Sequence, residues 1–165
     1  MPDDHDEQVR TVARLLDGQR FAMLTTRAAD GTLTSRPMAL QEVEFDGDLW
    51  FFASASSRKV EHVAGDPRVG VTVSSGSTWV SVSGSGARVE DQDKKRELWN
   101  AGIEAWFPDG VDSPEVVLLR VEAEGAEYWD TPGGRVTTAL SFVKAKATGK
   151  RYAGGDNDRV ELSEG

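Results

Sequence analysis

The chain has 165 residues, 38% of them hydrophobic and 28% charged, with a formal charge of −9 and no cysteine. The length suits one domain with a real core, and the missing cysteines exclude disulfides, thiolate metal sites and a cysteine nucleophile. The acidic balance argues against nucleic acid and anionic membranes as partners, so any anion this chain binds requires a local basic cluster.

The N-terminal MPDDHDEQV is acidic and polar, unlike a signal peptide, and no apolar run approaches the ~20 residues that span a bilayer. A cytoplasmic protein without a membrane partner is the expectation. Asp3 and Asp4 are placed to cap a first helix with Val9, Val12, Ala13, Leu15 and Leu16 on one face, ended by Gly18. Asp3, Asp4, His5 and Asp6 sit in a terminus too prone to fraying for a preorganised metal site, so no metal is expected.

Short strands follow. RFAMLTT reads as a compact apolar strand, AADGT as an Asp-Gly hairpin turn, and LTSRPMALQEVEF as the return strand. DGD at 46–48 turns the chain into LWFFA, and VEHVAGDPRV reads as a short helix stopped by Gly65 and Pro67. VGVTVSS and TWVSVSGSGARVE are β-rich. DKKRELWNAGIEAWF reads as one helix and PDGVDSP as a loop. EVVLLRVEAEGAEYWD is a long strand with a bulge or bend at Gly125. TTALSFVKAKATG is assigned a final helix. The tail GGDNDRVELSEG has too little apolar content to predict order. With no repeat or linker in view, residues 1–150 read as a single domain and 151–165 as a polar tail. About six strands with Gly turns and peripheral helices predict a mainly β fold, a small β-barrel.

One stretch asks for a ligand. In SASSRK, residues 54–59, Arg58 and Lys59 open a helix, where cations are unfavourable by roughly 0.3–1 kcal/mol each. Ser54, Ser56 and Ser57 offer hydroxyls, the first helical turn offers free N–H groups, and a phosphate would turn the misplaced cations to advantage. The alternative is a serine-capped helix whose cations point into water or pair with Glu61. In SRPMAL, residues 35–40, Pro37 cannot donate to a ladder and belongs on an edge or at an interruption. Arg36 would then be a third cation near the anion, or an ordinary surface arginine.

FAMLTT, DGTLTSRPMAL, DGDLWFFASASSRKV, VSVSGSGARVED and LWNAGIEAWFPDG occur in this order over about residues 5–130. The chain thereby resembles the pyridoxamine 5′-phosphate oxidase-like FMN-binding split barrels, and within them the general stress protein branch. The resemblance implies a six-stranded Greek-key split barrel and a homodimer with a flavin in each of two interface clefts. By position it implies Arg36, Ser57, Arg58 and Lys59 as ligands of the FMN phosphate. Pro37, Met38, Phe52, Ala53 and Ser54 would line the ribityl chain and ring. Trp106 and Phe107 would approach from the partner subunit, with Trp99 and Trp79 as weaker candidates and Trp50 and Trp129 left to packing.

No other catalytic constellation stands out, so catalytic residues are unassigned. His62 is expected on a helix surface. SGSGA at 83–87 has neither the spacing of a nucleophile elbow nor the setting of a dinucleotide fingerprint. The oxidases of the family carry a C-terminal Arg-x-His run for the substrate phosphate, whereas this chain has no histidine after His62. The resemblance thus implies an FMN-dependent oxidoreductase on an unknown small molecule rather than a pyridoxamine phosphate oxidase. The alternatives are a flavin store or sensor without turnover, or a barrel using FAD or F420.

Overall fold

The computed structural model describes residues 4–130 and 156–161. In chain order the elements are α1 (Asp4–Leu16), β1 (Phe21–Arg27), β2 (Leu33–Ala39), β3 (Asp48–Ser54), α2 (Arg58–Gly65), β4 (Arg68–Ser75) and β5 (Thr78–Val89). They continue with α3 (Gln92–Leu98), α4 (Ala101–Trp106), β6 (Val116–Asp130) and β7 (Asp156–Glu161). The strands form one antiparallel sheet in the order β2-β1-β4-β5-β6-β3, with β7 added to β6. Strands β4, β5 and β6 make a meander, and β3 returns beside β6 instead of β4, a Greek-key connection. The terminal strands β2 and β3 approach without hydrogen-bonding, which leaves the barrel split.

The turns form where the sequence places them. Asp30 Oδ1 accepts from the Thr32 amide at 2.9 Å and Asp46 Oδ1 from the Asp48 amide at 3.1 Å. Gly31 (φ 87°) and Gly47 (φ 115°) supply the left-handed backbone between them. The return strand stops at Ala39, short of the expected Phe45. Its partner β1 begins at Phe21, opposite Ala39, and after the Leu40 amide bonds Arg20 O at 2.9 Å no strand remains to pair with.

The core lies on the concave side of the sheet. Leu24, Val71, Val80, Val82, Phe51, Leu119 and Val121 alternate inward, closed off by Val12, Leu15 and Leu16 of α1 and by Val60 and Val63 of α2. The run Val116-Val117-Leu118-Leu119 serves two cores at once. Val117 and Leu119 join this one, while Val116 and Leu118 face a second cluster with Phe52, Leu98 and Ile103.

That second cluster explains why DKKRELWNAGIEAWF is two helices and not one. Trp99 leaves the helix (ψ 134°) to pack edge-on against Phe52, with ring centroids 5.5 Å apart. Asn100 then caps α4 by accepting from the Ile103 amide at 3.1 Å, a role to which its short polar side chain is suited. The bulge falls one residue before Gly125. Ser83 faces Gly125 and Gly84 faces Ala123, so Glu124 is the extra residue. Within the tail expected to be unordered, Asp156–Glu161 pairs with Gly125–Asp130 as β7. The final helix assigned to TTALSFVKAKATG and the Asp3 cap lie outside the described residues.

The bulge brings the β6 backbone against Gly84, where a Cβ would collide with Glu122 O and meet the Ala123 Cα at 3.1 Å. Gly84→Ala is expected to lower the unfolding free energy by about 2 kcal/mol or more in urea denaturation, the scale of core overpacking. Gly65→Ala, which has open space around it, should leave it within about 0.5 kcal/mol.

Candidate functional site

Strand β3 runs out at Ser54 and the chain turns through Ala55, Ser56 and Ser57 into α2. The Ser57 hydroxyl donates back to Ser54 O at 2.7 Å and makes no side-chain cap, leaving the first-turn amides of α2 without one. The Val60 and Glu61 amides both turn to Ser57 O, at 3.1 and 3.3 Å.

Three cations meet here. Arg36 lies on the inward face of β2 as the register partner of Leu24. Its Nη1 donates to Thr26 Oγ1 at 2.7 Å and to Leu24 O at 3.2 Å. Burial, and then the nearby Arg58, lower the Arg36 pKa; burial, and then Arg36, lower that of Lys59. Among the described residues no ion pair reaches Arg36, Arg58 or Lys59, although carboxylates hold Arg27, Arg68 and Arg88. Two half-buried cations, Arg36 and Lys59, beside the exposed Arg58 and without an ion-pair partner among the described residues, form an anion site by their chemistry.

The other expected positions divide. Pro37 is exposed on β2, which is an edge strand, and Met38 is buried beneath it. Phe52 and Ala53 are buried, Phe52 against Trp99 in the second cluster and Ala53 in the main core. Along β3, therefore, those two side chains serve packing, and the backbone is what remains to offer a ligand. The Ser54 hydroxyl donates to Glu115 Oε1 at 2.5 Å, as does that of Ser56, and the Ser56 amide adds a bond at 3.1 Å. Trp106 is 75% exposed and projects from α4, while Phe107 is half-buried against the second cluster. Within one chain neither joins the cations.

Three participants escaped the sequence reading. Thr26 and Glu115 carry no local signature, because each meets the site only through strand pairing. His62, expected on the helix surface, is half-buried with Nδ1 2.9 Å from Thr26 Oγ1. A cleft of about 590 Å³ opens beside α2, lined by Ser56, Val60, Glu61, Ala64 and Gly86 among others. It takes in Ser57 but not Arg36, Arg58, Lys59 or His62, which fall on the other side of the helix at ~100° per residue. The unpaired cations, not this cleft, mark the site.

The sequence matches the family described as pyridoxamine 5′-phosphate oxidase like over residues 7–153. The chain belongs to that family. Its barrel resembles general stress protein 26 of Jannaschia sp. CCS1 with a TM-score of 0.73 at 24% identity, covering 96% of this chain and 98% of that one. A general stress family protein of Xanthomonas campestris is 30% identical with a TM-score of 0.66, over 81% of this chain and 93% of that one. The general stress FMN/FAD binding protein of Xanthomonas citri is 29% identical, TM-score 0.65, over 76% and 89%. No curated protein matches the chain. Among the described residues no helix is long and apolar enough to cross a membrane.

Hydrogen bonds from Ser54 and Ser56 hold the Glu115 carboxyl below its ordinary value of 4.5. A depressed carboxyl favours the latched loop at neutral pH, and the latch weakens as pH falls through the lowered value. The Ser56 amide proton shift in NMR should therefore titrate with a midpoint below 4.5. That titration should vanish in Glu115→Gln.

Proposed function

We propose that this chain binds a flavin through its terminal phosphate, FMN foremost, and acts as a general stress oxidoreductase on a small molecule. The convergence of Arg36, Arg58 and Lys59 at the start of α2, with no ion-paired carboxylate among the described residues, is the observation that carries this reading. One terminal phosphate suits one clamp of this kind. The name of the Xanthomonas citri relative, an FMN/FAD binding protein, supports a flavin as the ligand.

In this reading Arg36 and Arg58 grip the phosphate with their guanidinium forks and Lys59 adds a point charge. The Arg58 and Lys59 amides complete the donors together with Ser57, whose hydroxyl would exchange its bond to Ser54 O for one to the anion. Pro37, on the edge strand β2, and the backbone at Met38, Phe52, Ala53 and Ser54 are the remaining surfaces for the ribityl chain and ring. The bound isoalloxazine supplies hydride or electron transfer, and the protein supplies position and electrostatics. Pyridoxamine phosphate is not the proposed substrate, since the chain has no histidine beyond His62 to serve a C-terminal Arg-x-His run.

The proposed working unit is a homodimer. The outer face of the sheet carries Phe21, Met23 and Pro37, and on the strands beyond β4 the cross-strand pair Trp79 and Trp129. An exposed apolar face of this kind marks an interface, here with a second copy of the chain. Trp106 and Phe107 would then reach the flavin of the partner subunit.

Visible absorbance of the purified protein, titrated with FMN, FAD and F420, tests the cofactor. FMN should bind most tightly, whereas retention of F420 or FAD alone would reassign it. Arg58→Ala combined with Lys59→Ala should weaken FMN binding about 100-fold or more, as expected for two lost charged hydrogen bonds, with an unchanged melting curve. Bleaching of the bound flavin by reduced nicotinamide separates turnover from storage. Met23→Glu should shift the protein from dimer to monomer in sedimentation and lose flavin with it.

A further inference from the structure

We infer that Thr26 and His62 are positioning residues that hold Arg36 in its anion-binding pose, so that His62 controls phosphate affinity without touching the phosphate. The inference deepens the flavin-phosphate reading and rests on it.

The argument is one of proton supply. A guanidinium has only donors, so at 2.7 Å from Arg36 Nη1 the Thr26 oxygen must accept. Thr26 is 1% exposed, and its single hydroxyl proton has one other partner among the described residues, His62 Nδ1 at 2.9 Å. A buried hydroxyl proton left without an acceptor is costly, so Nδ1 accepts and Nε2 carries the imidazole proton. The chain of bonds runs Arg36 to Thr26 to His62, in one direction.

The fold makes this chain a brace between two arms. Arg36 reaches across the β1–β2 ladder, secured at Leu24 O and Thr26 Oγ1 on successive inward positions of β1. His62 comes from α2, one turn after Arg58 and Lys59. One side of α2 therefore presents its cations at the proposed phosphate and its imidazole at the residue that steadies Arg36. Arg36 and Arg58 repel each other, and in the absence of anion the bonds to Thr26 and Leu24 O oppose the swing of Arg36 away. Loss of the acceptor at His62 frees the Thr26 hydroxyl to rotate and loosens that hold.

The test compares FMN with riboflavin, which lacks the phosphate. Wild-type protein should prefer FMN strongly. Thr26→Val and His62→Leu should reduce that preference about tenfold, the scale of one hydrogen bond, with riboflavin affinity unchanged. His62→Asn, whose side-chain oxygen can replace Nδ1 as acceptor, should restore it. The protein has two histidines, so a His5→Gln background leaves His62 alone in a long-range proton–nitrogen NMR spectrum. In mildly alkaline buffer it should show the Nε2–H tautomer. An undiminished FMN preference in Thr26→Val and His62→Leu overturns the inference, as does an equal loss for both flavins or an Nδ1–H tautomer. Wild-type protein indifferent to the phosphate overturns the flavin-phosphate reading itself and the inference with it.

Discussion

The pairing of β3 with β6 is the constraint on which the rest depends. It joins residues 48–54 to residues 116–122 across more than sixty positions of sequence, from Asp48 opposite Glu122 to Ser54 opposite Val116. This register brings Glu115 to the serine loop, where the carboxylate gathers Ser54, Ser56 and the Ser56 amide. It also aims the chain leaving β3 so that α2 begins over the open slot beside β2. One non-local ladder thus decides where the first turn of a short helix points.

On that frame, charge does the selecting. The protein is acidic overall, yet among the described residues no carboxylate pairs with Arg36, Arg58 or Lys59, while Arg27, Arg68 and Arg88 are each paired. Partial burial of Arg36 and Lys59 raises the cost of leaving the first group uncompensated and makes an incoming anion more valuable than it would be on the open surface. The serine loop divides its labour accordingly. Ser54 and Ser56 are spent on Glu115, which stiffens the loop, and Ser57, at the mouth of the helix, turns its hydroxyl back to Ser54 O.

The sheet has two outer surfaces with different fates. Over β3 and the first half of β6, α3 and α4 cover Phe52, Val116 and Leu118, and the break at Trp99–Asn100 lets both helices follow that surface. Over β1 and the far end of β5 and β6, Phe21, Met23, Trp79 and Trp129 have no such cover among the described residues. The described residues close one side of the barrel and leave the other apolar, a condition that favours the proposed symmetric dimer.

Local chemistry was legible without coordinates. The Asp-Gly turns, the proline on an edge strand, the short helix after SASS and the oddity of Arg58-Lys59 at its start each depend on neighbours within a few residues. The mainly β class followed from the spacing of turns and apolar runs. The misplaced boundaries have non-local causes. The return strand ends where β1 ends, the long helix breaks where Trp99 finds Phe52, and the bulge settles on Glu124 because the β6 backbone must pass Gly84. Thr26, Glu115 and His62 were invisible as site residues for the same reason, since a threonine, a glutamate and a histidine acquire their roles from partners 10 to 61 residues away. The sequence by itself determined which residue types were available to hold an anion. Only the tertiary structure decided which of them meet, because strand pairing and burial act between positions that the chain order keeps apart.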